Sequence, residues 1–280
     1  MKLAVIGGDA RQRYCADLLA KRGHSLTAFR MDGKTPDTVA EAACAEEAVR
    51  GADAVLLPIP LARGNGFIVG TSDLSAEALL SMLGRGTHLL GGNISASLTA
   101  AARRREILTH DYLDLESFVL RNAYLTAQGA LGILLSELPV CLYRTPVAII
   151  GFGRIAKFLS RMLVSLGAEV TVFARKPYDR AMASLIGMHA APTNRLSEEN
   201  TLNFARIVIN TVPARLLSPR TVAALASDTL LLELASGSDN LPQPDEASGV
   251  RLLFAHSLPG KCFPRSAGEI VADATEEFLL

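Results

Sequence analysis

The sequence carries no surplus of charge, with 28 Lys and Arg against 28 Asp and Glu over 280 residues. A balanced chain offers no broad electrostatic footprint for nucleic acid or an anionic membrane, so any anion site must be local. Cysteine is scarce and scattered: Cys15, Cys44, Cys141 and Cys262 form no Cys-x-x-Cys pair. That spacing argues against a zinc site and against a disulfide framework, and no metal is expected. Cys15 and Cys141 sit in apolar patterns and are expected to be buried free thiols. No uninterrupted apolar run approaches about 18 residues, so no membrane span is expected. With the first predicted strand at residue 3, no signal peptide is expected either. The one basic run, Arg103-Arg104-Arg105, follows a helical pattern and reads as a solvated helix end. A cytoplasmic protein is the resulting expectation.

What is present is apolar, 49% of residues, arranged as short strands alternating with amphipathic helical patterns. That rhythm predicts an α/β protein with parallel sheets covered on both faces. In the first half, strands are predicted at "LAVIG" (3–7), "SLTAF" (25–29), "AVLLPI" (54–59), "THLLG" (87–91) and "EILTH" (106–110). A helix from Arg11 to Lys21 closes at Gly23. Residues 115–138 carry apolar residues at three and four spacing, predicting one long helix or a pair. The rhythm then restarts with "VAIIG" (147–151), "VTVFA" (170–174), "RIVINT" (206–211), "TLLLELA" (229–235) and "VRLLFA" (250–255). The predicted organisation is two tandem Rossmann-like domains, residues 1–114 and 139–264, joined by bridging helices over 115–138. A terminal helix over 265–280 is expected to pack back on the first domain, and a cleft is expected between the two.

The most informative stretch is "VAIIGFGRIAKFLSRMLVSLGAEVTVFARK". A strand leads into Gly151-Phe152-Gly153-Arg154-Ile155-Ala156, a G-x-G-x-x-A turn opening a helix. Gly151 permits the tight turn, Gly153 lets backbone approach a pyrophosphate, and Ala156 allows close helix–strand packing. The helix N-terminus supplies unpaired N–H groups for phosphate. Apolar residues at Ile155, Phe158, Leu159, Met162, Leu163 and Leu166 keep the helical period. At the end of the next strand an NAD site usually places an acid. Here stand Arg175 and Lys176, and a guanidinium suits a 2′-phosphate, so NADP is favoured with NAD as the alternative. The bland alternative is a pair of exposed loop cations. Two further loops fall at strand ends, Asn210-Thr211-Val212-Pro213 and Glu233-Leu234-Ala235-Ser236. Glu233 and His256 are the titratable candidates beside them, against the simpler roles of a hydrogen-bonded strand-end carboxylate and a strand-end cap.

The ordered set "IGGDARQ", "LLPIP", "NAYLTAQGAL", "IGFGRIAKFLSRMLVSLGAEVTVFAR", "INTVP", "LELAS" and "SLPGKCFPRSAGEI" resembles the A subunits of dipicolinate synthase. The likeness runs from residue 6 to residue 270. It implies NADP⁺-dependent oxidation of dihydrodipicolinate to dipicolinate in the mother cell of sporulating bacteria, with a flavoprotein-like B chain as partner. Carried residue by residue, the cofactor loop falls on Gly151, Gly153 and Arg154, and the strand-end loop on Asn210, Thr211 and Pro213. Three departures stand out. "ASGSDN" (235–240) replaces an expected pair of glycines, Ser257 precedes "LPGK", and Gln128 stands where the family carries an acid.

A dicarboxylate substrate needs Arg, amide or hydroxyl donors, and the candidates are Arg11, Gln12, Asn93, Ser95 and Thr126. A turn residue is the simpler role for Asn93 and a helix cap for Thr126. Asp9, Glu233 and His256 are the candidate proton acceptors. The opening "IGGDARQ" makes the same tight turn as the cofactor loop, but Asp9 would repel a pyrophosphate. It is expected to serve the substrate side, bringing Asp9, Arg11 and Gln12 to the cleft edge. A homo-oligomer is expected, with the bridge helix available for self-association or B-chain docking. Two other readings remain: another NADP-dependent oxidoreductase acting on a small imine or keto acid, and a non-catalytic nucleotide-binding component of a complex.

Overall fold

The computed structural model describes all residues except Arg63, Asn65, Ser238, Asp239, Glu246, Ala247 and Leu280. The chain divides into two compact units, residues 1–122 with 259–280, and residues 123–258. In chain order the first unit holds β1 (Lys2–Ile6), α1 (Ala10–Lys21), β2 (Ser25–Phe29), β3 (Ala40–Glu41), α2 (Ala45–Val49), β4 (Ala54–Leu56), α3 (Ala76–Met82), β5 (His88–Gly91), α4 (Ala96–Arg104) and β6 (Leu108–Asp111). Helix α5 (Glu116–Glu137) passes into the second unit. There follow β7 (Pro146–Ile150), α6 (Arg154–Ser165), β8 (Glu169–Phe173), α7 (Pro177–Leu185), β9 (His189–Ala191), β10 (Ile207–Asn210), α8 (Pro219–Ala223), β11 (Leu230–Glu233) and β12 (Arg251–Phe254). Helices α9 (Leu258–Cys262) and α10 (Pro264–Leu279) complete the chain.

Each unit contains a six-stranded parallel sheet, ordered β3-β2-β1-β4-β5-β6 in the first and β9-β8-β7-β10-β11-β12 in the second. Both orders are the doubly wound 3-2-1-4-5-6 pattern, with the reversal point beside the first strand of each unit. The strands read as continuous apolar runs because both faces are covered. In β7, Val147 and Ile149 enter one core with Ala156, Leu159 and Leu163 of α6. Ala148 and Ile150 enter the other with Leu217 and Val222. The edge strands β3 and β9 escape the sequence reading because they span two and three residues, too few to show a period.

Helix α10 packs on α1 within the first unit, and small residues set that approach. A Cβ on Gly268 would lie 2.7 Å from the Arg11 carbonyl oxygen and 2.9 Å from the Cys15 nitrogen. Arg22 fixes the pair through Asp273 at 2.7 Å and Glu276 at 2.5 Å. The buried Tyr112 hydroxyl meets Thr275 at 2.9 Å. Cys15 is buried as expected, and burial pushes its thiol pKa well up. Cys141 is exposed, against expectation, because it lies in the turn after α5 rather than within an element. The bridge is one 22-residue helix rather than two. Among the described residues it is long and apolar enough to cross a membrane by length and composition alone. Its apolarity has a local explanation, since Ala127, Ala130 and Leu134 are fully buried in the second unit's core.

Candidate dinucleotide site

The glycine loop of the second unit is shaped from both sides. Gly151 sits at φ +97°, a left-handed conformation that a side chain resists. A Cβ there would also fall 2.5 Å from Thr211 Oγ1 and 2.7 Å from Val212 Cγ2. Gly151 is thus demanded twice, by its own dihedral and by the Asn210–Pro213 loop pressed against it. Gly153 differs. Its φ is −77°, it occupies the N-cap of α6, and a Cβ there would meet nothing within 4 Å. Open space at Gly153, which supplies no side-chain cap to the helix N-terminus, fits a phosphate-bearing ligand. Phe152 and Ala156 are buried in the core, Ile155 is half-buried, and Arg154 is exposed.

The neighbouring strand ends are joined by a buried network. Asn210 ends β10 and Glu233 ends β11, and the register places them side by side. Asn210 Nδ2 donates to both Glu233 oxygens, at 3.1 and 2.9 Å, and to the Val212 carbonyl at 3.0 Å. Asn210 Oδ1 accepts from Val212 N at 3.1 Å, and Glu233 Oε1 accepts from Ala235 N at 2.7 Å. One carboxylate therefore fixes both loops that flank the site. Glu233 is fully buried, and that burial raises its pKa, opposed by the Asn210 and Ala235 hydrogen bonds and by nearby His256. His256 follows β12, and its Nε2 is buried without a hydrogen-bond partner among the described residues. Thr211 bonds Ile150 O through Oγ1 at 2.8 Å, tying its loop to β7. Ser236 is exposed, and its carbonyl accepts from Asn240 Nδ2 at 3.0 Å. The "ASGSDN" departure falls partly on Ser238 and Asp239, outside the described residues.

At the end of β8, Arg175 and Lys176 are exposed and carry no side-chain partner among the described residues. Their loop is braced by Arg180, which donates through Nη1 to the Ala174 carbonyl at 3.0 Å and the Arg175 carbonyl at 2.8 Å. Arg180 carries no signal in the sequence, because a single arginine five residues downstream has no diagnostic spacing.

In the first unit, the candidates Asp9 and Arg11 pair with each other. Arg11 is buried, with Nε at 2.9 and 3.1 Å from the Asp9 oxygens and Nη2 at 2.8 Å from Oδ2. Nη2 also donates to the Ile59 carbonyl at 2.6 Å. Asp9 caps α1, accepting from Arg11 N at 3.0 Å. A Cβ on Gly260 would lie 2.8 Å from Arg11 Nε and 3.0 Å from Asp9 Oδ2. The motifs "GGDARQ" and "LPGK" therefore meet in space, and the Asp9–Arg11 pair serves the packing of α9. Gln12 is buried, with Nε2 and Oε1 both lacking hydrogen-bond partners among the described residues. Asn93 is an exposed turn residue at φ +61°, and Ser95 caps α4 through Leu98 N at 3.2 Å. Thr126 lies buried in the middle of α5, in the second unit, so it is not a helix cap. Among the described residues, no group of three His, Cys, Asp or Glu is placed to hold a metal.

Residues 2–113 match the family model for the N-terminal domain of the dipicolinate synthase A subunit. Over its full length the chain is 27% identical to the A subunit of dipicolinate synthase from Bacillus subtilis (strain 168), covering 96% of that protein. In fold it resembles the crystal structure of the dipicolinate synthase A subunit from Bacillus halodurans, with TM-score 0.85, 23% identity, and 99% and 97% of the two chains covered. It also resembles a transhydrogenase from Sinorhizobium meliloti, with TM-score 0.69, 15% identity, and 99% and 93% covered.

Proposed function

We propose that the chain is a dipicolinate synthase A subunit, as its match to that family's N-terminal domain over residues 2–113 and its full-length likeness to the Bacillus subtilis subunit support, and that it oxidises dihydrodipicolinate to dipicolinate with NADP⁺ as acceptor. The reading extends to its setting, the cytoplasm of the mother cell in a sporulating bacterium, with a flavoprotein-like B chain as partner. The observation that carries it is the second unit's construction: a left-handed Gly151 locked against Thr211 and Val212, beside an open N-cap at Gly153. That is the chemistry of a dinucleotide cradle, in which backbone N–H groups and a helix dipole receive pyrophosphate.

Bound there, a nicotinamide cofactor supplies hydride acceptance, and the ring of the substrate gives up one hydride and one proton as it becomes aromatic. The chain's own contribution is to bind, orient and take that proton. Arg175 and Lys176 are the groups for a 2′-phosphate. Asn210 and Glu233 act together as positioning residues. Their network sets the backbone at Val212 and Ala235. Glu233 is a poor base because its oxygens already receive Asn210 and Ala235. Asp9 likewise caps a helix and pairs with Arg11. His256 remains the proton acceptor we assign, with a buried Nε2 not otherwise bonded among the described residues.

The test is NADPH formation from dihydrodipicolinate by the purified chain, alone and with the B chain, for wild type and His256→Gln. Turnover is expected in the wild type, with a loss of about a hundredfold or more in the variant at unchanged NADP affinity. Absence of substrate-dependent NADPH formation under both conditions would refute the proposal. Full activity in the variant would remove His256 from it.

A further inference from the structure

The two units repeat one another with a constant spacing through their first strand, loop, helix and second strand. Gly7 and Gly151, Asp9 and Gly153, Gly23 and Gly167, and Phe29 and Phe173 are each 144 positions apart. The match extends to geometry. Gly7 N donates to Phe29 O at 2.9 Å, and Gly151 N donates to Phe173 O at 2.9 Å. Both loop glycines have positive φ, and both N-caps are extended at ψ −170°. The first unit thus keeps the backbone of a nucleotide-binding turn.

At this turn lies a cavity of about 410 Å³, within the span of small-ligand pockets. The residues lining it include Gly8, Asp9, Arg30, Asp32 and Gly70. The approach of the glycines is close: a Cβ on Gly70 would fall 2.5 Å from Gly8 N. Most of the charge is already committed. Asp9 pairs with Arg11 at 2.8 Å, and Arg30 pairs with Asp73. Asp32, three residues beyond the end of β2, has no side-chain partner among the described residues. Behind the glycine wall sits the Gln12 amide, buried and without a hydrogen-bond partner among the described residues. A Cβ on Gly8 would lie 2.7 Å from its Oε1.

We infer that the cavity in the first unit is a second binding site, for a neutral nucleoside-type ligand with a vicinal diol. Two features define that class. The N-terminus of α1 is closed to phosphate, because the Asp9 carboxylate already accepts from Arg11 N. A phosphate brought there would meet a like charge. The uncommitted group, Asp32, accepts hydrogen bonds only and suits paired hydroxyls, as an acid at this strand end does in dinucleotide sites. The inference concerns the first unit alone and does not rest on the reaction proposed above.

Adenosine is the probe, and the full-length chain held at saturating NADP is the background in which the second unit's site is filled. Saturation-transfer NMR and calorimetry are expected to detect adenosine binding in that background. Asp32→Ala, also at saturating NADP, should weaken binding at least tenfold, and 2′,3′-dideoxyadenosine should bind wild type no better than Asp32→Ala binds adenosine. AMP should gain nothing over adenosine. No adenosine binding, binding indifferent to Asp32→Ala, or AMP binding tenfold tighter than adenosine would each overturn the inference.

Discussion

Gly153→Asp gives the cofactor loop the residue that stands at Asp9, and its consequences follow from the geometry. Gly153 is extended at φ −77°, and a Cβ there meets nothing within 4 Å, so the substitution introduces no strain and no clash. Aspartate is a better N-cap than glycine by a few tenths of a kcal/mol, and its charge at the helix N-terminus adds about 0.3–1 kcal/mol. The fold is therefore expected to hold, with the second unit slightly more stable. Binding should move the other way. A carboxylate about 4–6 Å from a phosphate charge, at an effective dielectric near 20, costs roughly 3–4 kcal/mol. At about 1.4 kcal/mol per decade this is a loss of two to three orders of magnitude in affinity. Calorimetric titration with NADP and NAD measures it, and urea unfolding checks the fold. Gly153→Asn caps the helix without the charge, so the difference between the two variants isolates electrostatics from bulk. A Gly153→Asp chain that folds and binds both cofactors within about threefold of wild type would refute the loop's assignment.

Other predictions follow from single contacts. Arg175→Ala should weaken NADP about tenfold or more, the worth of a charge-assisted hydrogen bond, and leave NAD unchanged; equal loss of both would remove the 2′-phosphate role. Glu233 has a raised pKa in the folded state, so the native chain holds its proton more tightly than the unfolded one. The stability this contributes is complete below the ordinary carboxylate range and is lost as pH rises through the folded pKa. Across about pH 4 to 8, wild type should lose stability relative to the non-titrating Glu233→Gln, by about 1.4 kcal/mol for every tenfold by which folding tightens proton binding. A stability difference that stays flat, or shifts toward wild type, contradicts the burial argument. Gly268→Ala drives a methyl to 2.7 Å from a backbone oxygen of α1, and overpacking of this kind costs about 1–3 kcal/mol; an unchanged urea midpoint would show that α10 moves freely.

The parts of this molecule legible in its sequence are those governed by local spacing. Gly151 and Gly153 stand two apart between a β-branched strand and an amphipathic helix, the context in which that spacing reads as a tight strand-to-helix turn. The core strands were legible because burial on both faces leaves unbroken apolar runs such as "VAII". What stayed hidden depends on distance along the chain. The Asn210–Glu233 pair spans 23 residues, and only the sheet register brings it together. The role of Gly260 depends on Arg11, far away in sequence, and nothing near residue 260 announces it. Strand β6 begins at Leu108 instead of residue 106 because Glu106 adopts a left-handed φ of +58°, a turn that an apolar-pattern reading does not detect.

The opening "IGGDARQ" and the loop "IGFGRIA" are best understood as one backbone with its side-chain volume allotted differently. In the second unit the bulk sits in the loop, at Phe152, and the helix carries the small Ala156 against the strand; both are buried. In the first unit the loop residue is Gly8, and the helix position carries Gln12. The Gln12 side chain fills the space beside Gly8, where a Cβ would lie 2.6 Å from its Cγ. Volume lost at one position reappears at its packing neighbour, so the turn closes in both units. The charge is redistributed in the same way. Gly153 leaves the α6 N-terminus free of a side-chain cap, whereas Asp9 supplies the anion of α1 internally and Arg11 neutralises it. On the proposed readings of the two loops, aspartate in place of glycine at the N-cap is the difference that would make a phosphate cradle reject phosphate, while the exchange of Phe152 and Ala156 for Gly8 and Gln12 keeps the turn packed. At the end of the second strand Asp32 stands where the second unit has Lys176, which on the same readings would exchange a preference for an anion for one for a hydroxyl pair.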